Sequence, residues 1–300
     1  MQKIVFASLM LPRPSSETNA LLLVESIRAF AGSLSQTPIW LFSPDDGQQP
    51  SSTLTDRLHA LKVTRIPYPI NQNVQTFPFT EKVQAHAVAE ARASDHTDLL
   101  AWLDANTVVL QDPQAFLLPD DRALGFRPVH HTLIGSRFEA PLDPFWTLIY
   151  QHCAVPNERV FPMQTHVDNT RLRPYFNAGL LITRPETGLI RSWRDTFFQV
   201  YQAPAFQAFY QRDARYRVFM HQAVLSGTIL ATLTPTEMLE LPPTYNYPLH
   251  LYGEDMSGHR PSGLEDLTTF RHEGFYEDPE WRTKMPAKAP LKQWIADRLI

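Results

Sequence analysis

Cysteine is nearly absent: Cys153 stands alone in 300 residues. No disulfide can form within the chain, no cysteine-based zinc site can be built, and the composition fits a reducing compartment. Glycine is scarce as well, with 11 residues against 26 prolines, which inverts the usual proportions of about 7% and about 5%. Turns are therefore fixed by proline more than loosened by glycine. The sequence holds no G-x-S-x-G, no P-loop and no G-x-G-x-x-G, which argues against a hydrolase elbow, an ATPase and a dinucleotide enzyme. It also lacks any block of one charge sign: 27 Lys and Arg face 31 Asp and Glu, a formal net charge of −4. That leaves no electrostatic footprint for nucleic acid or anionic lipid. No run approaches the roughly 18 apolar residues of a membrane span. The opening MQKIVFASLMLPRPSS overlaps the low end of a signal-peptide hydrophobic region, but it stops at Pro12 without a small-residue cleavage site and reads as a buried strand. A cytoplasmic protein is expected.

What is present is a core. Hydrophobic residues make up 43% and charged ones 19%, the balance of a chain that folds on its own. Three hundred residues suit one large domain or two small ones. Apolar runs at 3–9, in TPIWLFSPDDG, in KVTRIPYP and at 99–113 read as strands, and helical periods at 17–34, 54–61 and 80–93 separate them. This alternation predicts a mostly parallel sheet covered on both faces, with ligands bound at the carboxyl ends of the strands. Residues 125–175, rich in Pro, His and aromatics, read as an insertion of long loops with a helix at 144–151. YFNAGLLITRPE reads as a further strand, followed by helices at 189–201 and 204–212 and around FMHQAVLSGTIL, then loops, short strands and a last short helix.

Asp104 and Asn106 close the run LLAWLDANTVVLQDP. Two apart, they share a face if the chain is extended, and two side-chain oxygens on one face can hold a divalent cation, or a ribose hydroxyl and a cation. The ordinary alternative is an Asx turn. Asn177, Ala178 and Gly179 in FNAGLLI join a turn to a buried strand, where small residues let backbone approach a ligand and an amide can bond a polyhydroxylated one. His221 and Gln222 open a helical pattern and would ordinarily sit in an exposed first turn. Lys82 would ordinarily be surface charge, and His272 a structural histidine. The pair His130 and His131, and Cys153 with any histidine, show no distinguishing spacing.

Taken in order, FTEKVQAHAVAEARASDHTDLLAWLDANTVVLQDP, YFNAGLLITRPE, HQAVLSGTIL, LPPTYNYP and RHEG resemble the landmarks of glycogenin-type glycosyltransferases, the group that includes galactinol synthases and lipopolysaccharide galactosyltransferases. The resemblance runs from the first strand to about Trp281. It implies a GT-A fold, α/β with a mostly parallel mixed sheet flanked by helices and a nucleotide-sugar site at the strand carboxyl ends. One domain over 1–300 is implied, with a nucleotide-binding half at 1–113 and a donor-sugar and acceptor half at 114–300. The implied activity is hexose transfer from a nucleotide sugar, UDP-sugar first, to an acceptor that the sequence does not name. Asp104 and Asn106 stand at the family's Asp-x-Asp pair, and His272 at the third metal ligand, for Mn²⁺ or Mg²⁺. Lys82, Ala105, Asn177, Ala178, Gly179, His221 and Gln222 fall at donor-binding positions, joined by Ser8 and Gly274. Asp104 and Gln222 are the expected catalytic pair, with Gln222 near the reacting carbon.

Three departures from the family pattern move charge. The second acidic ligand is Asn106, the aspartate before Gln222 is His221, and HEGFYEDPEW lacks the lysine expected at the diphosphate. A divalent ion on Asp104, Asn106 and His272 would keep one positive charge, so metal is expected to bind weakly until the nucleotide arrives. With no carboxylate at His221, a front-face retaining route is expected over a glycosyl-enzyme. The same departures leave open a catalytically impaired nucleotide-sugar-binding protein. Phe126, Phe138, Phe145, Trp146 and Tyr150 would be either core, the more ordinary reading, or an acceptor wall.

Overall fold

Short apolar runs that alternate with helical periods build an alternating chain in the computed structural model, which describes residues 2–45, 47, 50–69 and 77–299. In order, the elements are β1 (Ile4–Leu9), α1 (Pro14–Phe30), β2 (Ile39–Pro44), α2 (Ser52–Ala60), β3 (Val63–Tyr68), α3 (Thr80–Ala93), β4 (Leu99–Leu103), β5 (Thr107–Val109), β6 (Leu124–Pro128) and α4 (Pro144–His152). They continue with β7 (Met163–Gln164), β8 (Arg171–Leu172), β9 (Phe176–Thr183), α5 (Leu189–Val200), α6 (Pro204–Arg212), α7 (Ala214–Thr232), β10 (Met238–Glu240), β11 (Tyr247–Pro248), β12 (Thr269–Arg271), α8 (Trp281–Lys284) and α9 (Leu291–Ala296).

The main sheet has seven strands in the order β10-β6-β9-β4-β1-β2-β3. β4, β1, β2 and β3 are parallel, β6 and β10 are parallel, and β9 alone runs against its two neighbours. Every residue of β4 and of β9 is buried, as continuous apolar runs must be when helices cover both faces. Reversal of β9 has a geometric consequence: its first residues lie at the carboxyl end of β4, where Leu103 pairs with Leu180 and the Asp104 amide donates to the Gly179 carbonyl at 2.8 Å. A second sheet, β11-β12-β5, sets β12 antiparallel to β5.

On one face, Trp193 and Phe197 of α5 and Val224 and Leu225 of α7 join the main cluster; α1 contributes Leu23, Val24 and Ile27 to another. A Cβ on Gly227 would meet Cys153 Sγ at 2.5 Å, so α7 passes α4 with no room for a side chain. Cys153 is spent there as packing, and burial pushes its thiol up to about 12. No helix among the described residues is long and apolar enough to cross a membrane.

Three expectations need correction. The run at 99–113 is two strands of different sheets, because Asp104 to Thr107 forms a turn closed by Thr107 N–H on the Asp104 carbonyl at 2.9 Å. Residues 125–175 hold the expected helix as α4, and Phe126, Phe145, Trp146 and Tyr150 are core as on the more ordinary reading, but the segment opens within β6, a strand of the main sheet that was read as loop. His221 and Gln222 lie in the middle of α7 rather than in a first turn, because Asp213 caps that helix at Arg215 N–H.

Candidate active site

A cavity of ≈ 880 Å³ opens where β1 and β4 end, within the range of about 300–1,000 Å³ usual for ligand pockets. One end is formed by Leu9, Leu11, Arg13 and Asn19, from the end of β1 to the first turns of α1. The other holds Lys82, Asp104, Asn106, Asn177, Gln222 and Arg271.

Asp104 is heavily engaged. Its Oδ2 accepts from Lys82 Nζ at 2.7 Å and lies 3.0 Å from Arg271 Nη2, while its Oδ1 accepts from Trp102 Nε1 at 3.2 Å. Burial alone would raise the carboxyl, but the Lys82 and Arg271 cations outweigh it and hold Asp104 well below the usual carboxylate range. Lys82 comes from the first turn of α3, which passes beneath the end of β4. Burial pulls its ammonium down, Asp104 opposes this, and Arg271 adds to it.

Arg271 ends β12. Its Nε donates to Asn106 Oδ1 at 3.2 Å, its Nη1 to Asn177 Oδ1 at 3.2 Å, and its Nη2 reaches both Asp104 and Glu273. Asn177 Oδ1 also accepts from Gly179 N–H at 2.8 Å. A Cβ on Gly179 would collide with the Arg271 guanidinium, which is why glycine serves at this position. Gln222 Oε1 accepts from Ala178 N–H at 2.9 Å, which fixes the amide plane. His221 stacks on Phe79 with centroids 4.3 Å apart, and its Nδ1 faces the Val218 carbonyl at 3.0 Å. Burial, helped by Lys82, lowers it to about 3. At neutral pH it is an uncharged ring with Nδ1–H donated and Nε2 an acceptor.

Of the residues expected at a donor site, Lys82, Asp104, Ala105, Asn106, Asn177, His221 and Gln222 line the cavity. Ser8, Ala178, Gly179, His272 and Gly274 do not. Ser8 is buried within β1 with an unpartnered hydroxyl, and Ala178 and Gly179 act through backbone groups of β9. His272 is the main correction. Successive residues of a strand point to opposite sides, so with Arg271 facing Asp104, His272 turns back against Tyr276, ring centroids 4.5 Å apart, with neither ring nitrogen hydrogen-bonded. Sequence reasoning missed Arg271, Glu273, Phe79 and His250, all on the cavity wall, and set aside His130 and His131, which also line it. The signal for Arg271 was present in RHEG, one residue before the histidine taken as the ligand.

The residues present do not fit the expected divalent ion. The Lys82 and Arg271 cations already stand on Asp104, Arg271 stands on the Asn106 oxygen as well, and His272 points elsewhere. Among the described residues no group of three or more His, Cys, Asp or Glu is placed to hold a metal.

A mixed sheet with one reversed strand and a polar cavity at its carboxyl edge agrees with the GT-A glycosyltransferase fold that the sequence resemblance implies. The chain belongs to the Rhodobacterales glycosyltransferase domain family, whose sequence model matches residues 9–231. Its fold is similar to that of the galactosyltransferase LgtC, solved in complex with donor and acceptor sugar analogs, with a TM-score of 0.54 and 14% identity over 99% of this chain and 94% of that one. It is similar also to the bifunctional glycosyltransferase WbbM, with a TM-score of 0.54 and 12% identity over 99% of this chain and 52% of the other. No curated protein sequence matches the chain.

Proposed function

We propose that the protein transfers a hexose from a nucleotide sugar, a UDP-sugar in the first instance, to a hydroxyl acceptor with retention at the anomeric carbon. The observation that carries this reading is the convergence of Lys82, Asn177, Gln222 and Arg271 around Asp104 at one end of a cavity of nucleotide-sugar size. The wall from Leu9 to Asn19 takes the nucleoside, next to the first turn of α1, whose N–H groups favour anionic oxygens. Asn177 and Gln222 supply amides for sugar hydroxyls.

In the reaction, the bond between the anomeric carbon and the diphosphate oxygen breaks and its electron pair leaves with the diphosphate. The acceptor oxygen bonds to the same face of the carbon, and its proton passes to the departing phosphate oxygen. The residue before Gln222, an aspartate in the family that the sequence resembles, is here the neutral imidazole of His221, so no carboxylate nucleophile stands at that position. Gln222 Oε1 keeps one lone pair beyond its bond to Ala178, and we assign it to support positive charge at the carbon. Phe79 and Leu133, two of the three exposed large hydrophobic residues among the described ones, both border the cavity and offer the acceptor an apolar lip.

Ligand-observed NMR of the pure protein against a panel of nucleotide sugars tests this, following both binding and donor consumption. Selective binding with consumption of one donor is expected; no binding by any nucleotide sugar would sink the reading. Binding without consumption, even with acceptor sugars added, would favour an impaired binding protein instead, a reading supported by the two cations that already hold Asp104.

A further inference from the structure

We infer that Arg271, with Lys82, is the cation that receives the leaving diphosphate in this protein, in the place where a divalent metal was expected, and that Glu273 holds that place while no nucleotide is bound. The inference deepens the transferase reading and rests on it.

Arg271 makes its contacts with the two side chains expected to ligate metal, Asp104 and Asn106, and with Asn177 on β9 of the main sheet. It is 8% exposed, yet it borders the cavity. A guanidinium fixed on three sides has lost its rotamer freedom before ligand arrives, which is the preorganisation that phosphate recognition rewards. Gly179 gives up its side chain to make the room. The charges agree. Lys82 and Arg271 less Asp104 leave one positive charge, the same residue that a divalent ion on Asp104 alone would leave. The fourth contact of the guanidinium is Glu273, a carboxylate whose side chain is 36% exposed, on a left-handed backbone with φ of 43°. Among the described residues, this is the carboxylate on Arg271 that can move into solvent, since Asp104 is held by Lys82 and Trp102 as well. When the carbon–oxygen bond breaks and the electron pair goes to the diphosphate, the developing charge falls on a guanidinium whose planar fork suits phosphate oxygens.

Calorimetric titration of the full chain with UDP and with UMP, in excess chelator and again with Mn²⁺, tests this. UDP affinity should agree within about twofold between the two buffers. Arg271→Gln should weaken UDP by at least about tenfold and narrow the gap between UDP and UMP, as loss of a charge-assisted contact requires. Glu273→Gln should tighten UDP. Should Arg271→Gln fail to fold, Arg271→Lys keeps the charge, loses the fork, and should still weaken UDP. A requirement for Mn²⁺, or wild-type UDP affinity in Arg271→Lys, overturns the inference and leaves the transferase reading standing. If UDP, ADP, GDP, CDP and dTDP all fail to bind in either buffer, both fall together.

Discussion

Gln222 carries two jobs with one amide. Its oxygen holds the Ala178 N–H and, on the proposed mechanism, faces the reacting carbon. Gln222→Ala should lower kcat by about 10²-fold with little change in KM, as for loss of a preorganised dipole. It should also cost about 1 kcal/mol of stability, because a buried N–H loses its acceptor. Donor turnover and urea denaturation separate the two effects. A second prediction concerns protons. His221 and His166 stay neutral in the fold, lowered to about 3 and about 4, chiefly by burial and then by Lys82 and Arg127 respectively. Unfolded, each protonates near 6.5. Between those values the unfolded chain binds more protons, so stability falls as pH drops below about 6.5, approaching about 1.4 kcal/mol per pH unit for each group. Urea midpoints at pH 7.5 and 5 check this, and equal midpoints would contradict it. At this scale the sequence was partly readable. Asp104, Lys82, Asn177 and Gln222, singled out by the landmarks, all line the cavity, whereas the motif behind RHEG drew attention to His272 and left Arg271 unweighed, and a three-residue strand is too short for its alternation to show which of the two faces the site.

At the scale of elements, α3 places Lys82 and is itself held at its far end. Glu90, fully buried near its C-terminus, accepts from the N–H groups of Ile190 and Arg191 at 2.9 Å each, and so caps α5 where Gly188 offers no side chain. Burial raises this carboxyl while those donors pull against it. Glu90→Ala should cost about 2–3 kcal/mol, since two helix N–H groups lose their acceptor and Arg191 its partner. Thermal melts measure the loss; an unchanged melt would show that α5 needs no cap from α3. The strong periodicity at 80–93 marked α3 to the residue, because its alanines leave the apolar stripe clean. α7 was read as starting late because the Asp213 cap was overlooked among charged neighbours. β6 was lost among prolines and aromatics, since a five-residue strand buried on both faces has no alternation to show.

Across the whole molecule, the sheet takes β1 to β4 from the first part of the chain and β6, β9 and β10 from the rest. The reversed strand brings Asn177 beside Asp104, an adjacency that no local pattern reports. The bonds of the cavity floor span very different lengths of chain: 22 residues from Lys82 to Asp104, 44 from Ala178 to Gln222, and 165 from Asn106 to Arg271. Closing a loop of the last kind costs chain entropy before any contact repays it, so such contacts form late. Refolding should therefore run in two stages in time. Tryptophan fluorescence, reporting Trp102 and Trp193 in their packed helices and strands, should recover first, and nucleotide binding should lag behind it. The last piece of chain to arrive is then the one that turns a folded sheet into a site able to hold its ligand.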